Sequence, residues 1–115
     1  GSGSGNDEPP ALATFATTSG GTEQRFLFYD DNTFALKSVL SANVMPTALT
    51  GTYTGNPNKA SETITLTLKK VGNSSGTLTD VTDSNLPSGC SNPTTITISS
   101  DGNSFSFMSE TYTKK

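Results

Sequence analysis

Acid–base, nucleophilic and metal chemistry draw on a short list of side chains, and this chain supplies few of them. None of its 115 residues is His or Trp. That excludes a histidine-based triad, a histidine general base and a His-ligated zinc site. The single Cys90, in Ser88-Gly89-Cys90-Ser91, has no partner for an internal disulfide. As a catalytic thiolate it would lack an activating imidazole. Glu23, Glu62, Glu110 and Asp80 can serve glycoside hydrolysis only where two carboxylates meet across a cleft, and nothing in their spacing brings a pair together. Asp30-Asp31-Asn32 and Asp80-Val81-Thr82-Asp83-Ser84-Asn85 gather oxygens, but neither has the spacing of a calcium loop, and Asx turns account for both. No G-x-S-x-G, P-loop or dinucleotide fingerprint occurs. Asn73-Ser74-Ser75 is a formal glycosylation sequon. The expectation is a protein that is not an enzyme and uses no metal or other cofactor.

Charge narrows the partners. Seven Lys and Arg against ten Asp and Glu give a net charge of −3. The basic residues do not cluster beyond Lys69-Lys70 and Lys114-Lys115, so the concentrated basic face that phosphates require is missing and nucleic acid is not an expected partner. No apolar run approaches the ~20 residues of a membrane-spanning helix. Gly1-Ser2-Gly3-Ser4-Gly5 reads as a cloning remnant, and Asn6-Asp7-Glu8-Pro9-Pro10 as a stiff polar linker. One domain is therefore expected over 11–115, as a monomer.

The elements come from hydrophobic periodicity. Twenty Thr and 16 Ser dominate a chain that is only 30% apolar, a composition suited to half-wet strands. Thr63-Ile64-Thr65-Leu66-Thr67-Leu68 alternates strictly, which gives a strand one dry and one wet face. Ile96 and Ile98, Phe26 and Phe28, Phe34 and Leu36, Leu49 and Tyr53, and Phe105 and Phe107 keep the same two-residue spacing. Turn chemistry at Ser19-Gly20-Gly21, Asp30-Asp31-Asn32, Gly55-Asn56-Pro57-Asn58, Gly72-Asn73-Ser74-Ser75 and Asp101-Gly102-Asn103 separates these runs. About eight strands are predicted, at 11–17, 23–29, 33–40, 47–54, 62–70, 76–81, 94–99 and 103–113. A bulge near Met108-Ser109 would bring Tyr112 into phase with Phe105 and Phe107. Short connections imply an all-β antiparallel up-and-down meander that closes into a small barrel, with a two-sheet sandwich as the alternative. Gly51 is placed where a strand bends around a barrel corner. Thr- and Ser-lined outer faces do not suit a transmembrane barrel, which needs an apolar band.

The order of these signals resembles a known family. Phe26-Leu27-Phe28-Tyr29-Asp30-Asp31-Asn32-Thr33-Phe34 matches a hairpin of the form F-x-F-x-x-D-G/N-T-F. Gly51-Thr52-Tyr53 follows, then the Ile64/Leu66/Leu68 strand, the Ile96-to-Phe105 pair and a closing Tyr112-Thr113-Lys114-Lys115. Together they look like the small lipocalin-like (calycin-type) β-barrels of bacterial secreted and envelope lipoproteins, over about residues 11–115. The chain departs from the pattern in lacking an N-terminal G-x-W and in being shorter than ligand-carrying lipocalins. The resemblance implies a secreted or cell-envelope location, with any membrane attachment through an N-terminal lipid.

It also implies a cup with one open rim. Loops near 18–22, 41–46, 71–75 and 100–102 are expected at the mouth, with 30–32, 55–61 and 82–93 at the other end. A small hydrophobic ligand held in the barrel would meet Phe26, Phe28, Leu36, Tyr53, Phe105 and Phe107. Val44 and Met45 would form an apolar lip over it, or fold back to plug the barrel end. The expected function is an extracytoplasmic binding module for such a ligand or for a protein partner at the rim loops. The alternative is a structural or adhesive surface domain with a packed, ligand-free barrel.

Overall fold

The computed structural model describes residues 11–41, 44–73, 77–86 and 91–115. Nine antiparallel strands run as a meander: β1 (Ala11–Ser19), β2 (Thr22–Tyr29), β3 (Thr33–Val39), β4 (Thr47–Thr54), β5 (Thr63–Gly72), β6 (Leu78–Asp80), β7 (Thr94–Thr97), β8 (Ser104–Phe107) and β9 (Glu110–Lys114). They share one strongly curled sheet, ordered β6-β5-β4-β3-β2-β1-β9-β8, with β7 also paired to β5. All strands lie on a single sheet, so the sandwich alternative does not hold.

The curl follows from inward residues too large for a flat layer. Phe15, Phe26, Phe28, Phe34, Leu36, Leu49, Tyr53, Ile64, Leu66, Leu68, Ile96, Ile98, Phe105, Phe107 and Tyr112 form one buried cluster. Sheet bending shows as register shifts between Leu36 and Lys37 in the β3–β4 pair and between Thr50 and Gly51 in the β4–β5 pair. At the second, a Cβ on Gly51 would sit 1.9 Å from the Thr67 carbonyl oxygen. The corner expected at Gly51 is there, and its reason is close backbone approach.

Two local readings are corrected. The long last strand is two strands, because Met108 and Ser109 both take positive φ (51° and 67°) in a two-residue hairpin turn instead of a bulge. Positive φ at both positions is the type I′ pattern, which twists with its strands and normally selects Asn and Gly. Tyr112 then pairs with Phe105 and shares its face. The second correction concerns the ends of the barrel. β6 and β7 both run antiparallel to β5, β6 against Lys70–Gly72 and β7 against Thr63–Leu66. They are two halves of one interrupted edge, so the connection 81–93 is a sideways excursion and not a reversal. The Asp101-Gly102 turn, expected at the mouth with 18–22, 41–46 and 71–75, is thereby moved to the opposite end. The Asp101-Gly102 turn lies beside the β4–β5 connection, with Gly102 facing Ala60 and Ser61 N–H donating to Ser99 C=O.

The upper rim therefore carries the β1–β2 turn, the connections after β3 and β5, and the Met108-Ser109 turn. The lower rim carries 30–32, 55–62 and 98–103. The described chain enters at Ala11 on the lower rim, and β9 runs toward that rim.

The break between β6 and β7 is filled by a side chain. Leu68 N–H donates to Asn92 Oδ1 (2.9 Å), and Asn92 Nδ2 donates to Leu68 C=O (3.1 Å). One amide thus gives β5 both bonds that a strand residue would have given. On either side, Val81 N–H donates to Lys69 C=O and Thr94 pairs with Leu66. Val81 and Leu86 from the excursion pack against the core. Beyond β7, Ser99 N–H donates to Ser104 C=O at 2.7 Å and Ser104 N–H donates back to Ser99 Oγ at 3.1 Å, ties across the turn between strands that form no ladder with each other.

Asn92→Ala leaves the Leu68 amide and carbonyl unpaired, and should cost about 1–3 kcal/mol in urea unfolding. Gly51→Ala should cost about 1–3 kcal/mol by forcing β4 and β5 apart. A loss below about 0.5 kcal/mol for either would show that β5 does not depend on that contact.

Candidate functional site

The eight residues expected to meet a ligand fall into two separate groups. Phe26, Phe28, Leu36, Tyr53, Phe105 and Phe107 are all buried in the core cluster. Phe26 is its centre, with ring centroids 5.0 Å from Phe28, 5.3 Å from Phe34, 5.2 Å from Phe105, 5.4 Å from Phe107 and 5.7 Å from Tyr112. These are contact distances for stacked and edge-to-face rings. All six side chains thus lie in one buried cluster, with the aromatic rings in mutual contact. Val44 and Met45, by contrast, are 50% and 39% exposed on the upper rim. They neither plug the barrel nor touch the other six, because the chain reverses before it can reach inward. Leu40 N–H donates to Val44 C=O (2.9 Å), and Ser38 N–H to Pro46 C=O (3.1 Å), which holds the loop as an outward hairpin.

That loop borders a cleft of about 360 Å³ lined by Ser38, Leu40, Pro46, Thr47, Gly72 and Asn73 among others. It exists because β4 and β5 approach closely here: a Cβ on Gly72 would lie 1.8 Å from the Thr47 carbonyl oxygen and 3.3 Å from Leu78 Cδ2. With no side chain at Gly72, the floor between the two connections stays open. None of the eight expected residues lines the cleft. Leu40 at 59%, Leu78 at 39% and Met108 at 40% exposure join Val44 and Met45 on the same rim. Among the described residues, Leu12 is the one large exposed apolar side chain on the lower rim. Leu40, Leu78 and Met108 were readable as candidates from one signal, a large apolar residue set against turn-forming neighbours.

Three carboxylates among the described residues are shifted by their neighbours. Glu23 is held below the usual carboxylate range by a hydrogen bond from Arg25 and then by Lys115. Asp80 is lowered by Lys70, whose Nζ lies 2.6 Å away. Asp101 is lowered by the Ser99 hydroxyl and then by the Asn103 N–H. These three are carboxylates stabilised in the charged form, the opposite of a general acid primed by burial. Glu62 accepts from Asn56 N–H at 2.9 Å on the lower rim, far along the barrel from Asp80 on β6. Among the described residues, no group of three acidic or sulfur ligands is placed to hold a metal. The Asx turn expected at 30–33 forms, with Thr33 N–H donating to Asp31 Oδ1; at 80–85 the Asn85 side chain reaches back instead, accepting from Thr82 N–H and donating to Asp80 C=O. Cys90 and part of the sequon, Ser74 and Ser75, lie outside the described residues.

Two tyrosines are the perturbed groups of the interior. The Tyr53 hydroxyl donates to the Tyr29 C=O at 2.8 Å, and burial first, then Asp31 and Asp30, pushes its pKa up. Tyr112 is pushed up to about 12, by burial and then by Glu110. Both shifts express desolvation in a packed core. No protein-family profile, curated protein or solved structure matches this chain.

The tyrosines give the fold an alkaline limit. A phenol whose folded pKa exceeds its unfolded value of about 10 contributes stability that is complete below that value and is lost as pH rises toward the folded pKa. The melting temperature should fall between about pH 10 and pH 12, with phenolate absorbance appearing together with unfolding. Tyr112→Phe should reduce that fall. An unchanged alkaline profile in the variant would place the loss elsewhere.

Proposed function

We propose that this chain is a non-enzymatic binding module whose contact surface is the upper rim, where it meets a partner through Leu40, Val44, Met45, Leu78 and Met108. One observation carries the reading. Of the large apolar side chains exposed on the described surface, all but Leu12 lie at that end, contributed by separate connections. Singly scattered apolar residues need no explanation, but apolar residues gathered at one end of a small domain mark an interaction site. The rim also faces away from Ala11 and from the direction in which β9 runs. The interior favours a packed barrel over a carrier, since its aromatic rings occupy the lumen themselves.

A second reading keeps the lipocalin-like resemblance in full: a small hydrophobic ligand in the lumen, with the aromatic core opening to admit it. The cleft beneath Leu40 favours a reduced form of this reading, with a ligand seated at the mouth, since its volume lies within the range of small-molecule sites. Either reading fits a monomeric, secreted or envelope-displayed protein.

An apolar-dye titration together with native mass spectrometry separates the two. On the rim reading, dye enhancement falls several-fold in Met45→Asp and in Leu40→Asp with the melting temperature unchanged, and the purified protein carries no retained small molecule. A bound apolar molecule that survives purification, or dye binding indifferent to both substitutions, would move the site into the lumen.

A further inference from the structure

The chain contains two methionines, and both stand on the rim: Met45 in the β3–β4 connection and Met108 in the β8–β9 turn, 39% and 40% exposed. Neither belongs to the buried cluster, which is built from Phe, Tyr, Leu, Ile and Ala. Their positions are unusual for the residue type. Met normally fills irregular gaps in a core, where its flexibility is useful and its sulfur is shielded. Here the core leaves it out, and the second of the two occupies a turn position with φ of 51°. An Asn or Gly would adopt that backbone with less strain.

We propose that Met45 and Met108 are paired oxidation sites through which peroxides change the polarity of the upper rim while leaving the fold intact. The step is an oxygen transfer. The Sδ lone pair attacks the distal oxygen of a hydroperoxide, an S–O bond forms as the O–O bond breaks, and the peroxide leaves as an alcohol or as water after taking up a proton. Each thioether is oxidised to a sulfoxide by two electrons and the peroxide is reduced by two. An apolar side chain becomes a polar one with a strong dipole. At Met45 the new dipole stands beside Val44 and Pro46, next to the cleft. At Met108 it stands at the tip of a hairpin turn. The core holds no sulfur to oxidise, so packing around Phe26 is untouched. This rests on the proposed rim reading for its consequence, but its chemistry and its structural selectivity stand apart from that reading.

The test is hydrogen peroxide treatment of the folded protein with its one thiol, Cys90, blocked beforehand by alkylation, followed by peptide mapping, thermal melting and hydrophobic-interaction chromatography on a phenyl matrix. The expected result is a mass gain of about 32 Da confined to Met45 and Met108, at rates within about threefold of a free methionyl peptide. The melting temperature stays within a few degrees, and the protein elutes clearly earlier from the column. A Met45→Leu/Met108→Leu variant keeps its retention after the same treatment. The inference is overturned by a methionine that stays reduced in the folded protein, by loss of the cooperative melt on oxidation, by unchanged retention, or by an equal shift in the double variant. Failure of the rim reading is seen separately, in dye binding by the unoxidised protein that ignores Met45→Asp and Leu40→Asp.

Discussion

The aromatic contact at Phe26 is what the rest of the structure depends on. Its ring touches Phe28 on its own strand, Phe34 on the adjacent β3, and Phe105 and Tyr112 on β8 and β9, and a flat sheet would hold those last two strands roughly 10–15 Å from β2. A polar, Thr- and Ser-rich chain has few apolar side chains to spend on a core. It concentrates them on the inner face and curls until they meet. The curl costs backbone regularity, which is why the bulges and close approaches fall at Gly51 and near Lys37. With the rings in contact, the inner face is satisfied by its own residues.

Curling creates a second problem at the free edges, since β7 and β8 do not ladder. Exposed strand edges invite pairing with other chains. The edge beside β5 is broken into two short strands separated by an excursion, and the Asn92 amide supplies the missing bonds at the break. Val81 and Leu86 lie against the core from the same excursion. A short, interrupted edge of this kind is a poor template for another strand, while the β5 ladder beneath it remains complete.

The inner face was legible in the sequence because period-two alternation is a local property: Ile64, Leu66 and Leu68, or Phe105 and Phe107, declare their side without reference to the rest of the chain. The all-β class, the meander and the Gly51 corner followed from that alternation and from turn chemistry. What escaped depended on nonlocal facts. Met108-Ser109 does not look like a type I′ turn, because its residues are not those the backbone angles favour. The side reached by the Asp101-Gly102 turn depends on whether 81–93 reverses the chain, and that depends on pairing with β5 some thirty residues earlier. Candidate-site legibility divides the same way. The six core residues were identified by their inward phase, but phase alone does not separate a lined cavity from a filled one. Ring-to-ring distances make that distinction. Val44 and Met45 were visible as apolar residues in a loop, whereas their link with Leu78 and Met108 needed the topology.

The upper rim is where the sequence departs most from what folding alone would select. A Met in a positive-φ turn, a Leu at the outer end of β3 and an exposed Leu beginning β6 each forgo a gain available to a polar or glycine substitute, in turn strain or in hydration. None of them contributes to the buried cluster in return. Local rules are usually broken where function outweighs stability, and here the departures converge on one end of the barrel from connections far apart in the chain. Independent loops have no folding reason to agree on apolar tips. A shared external contact would supply one, and that is the physical ground for the proposal that binding belongs to the rim and not to the lumen.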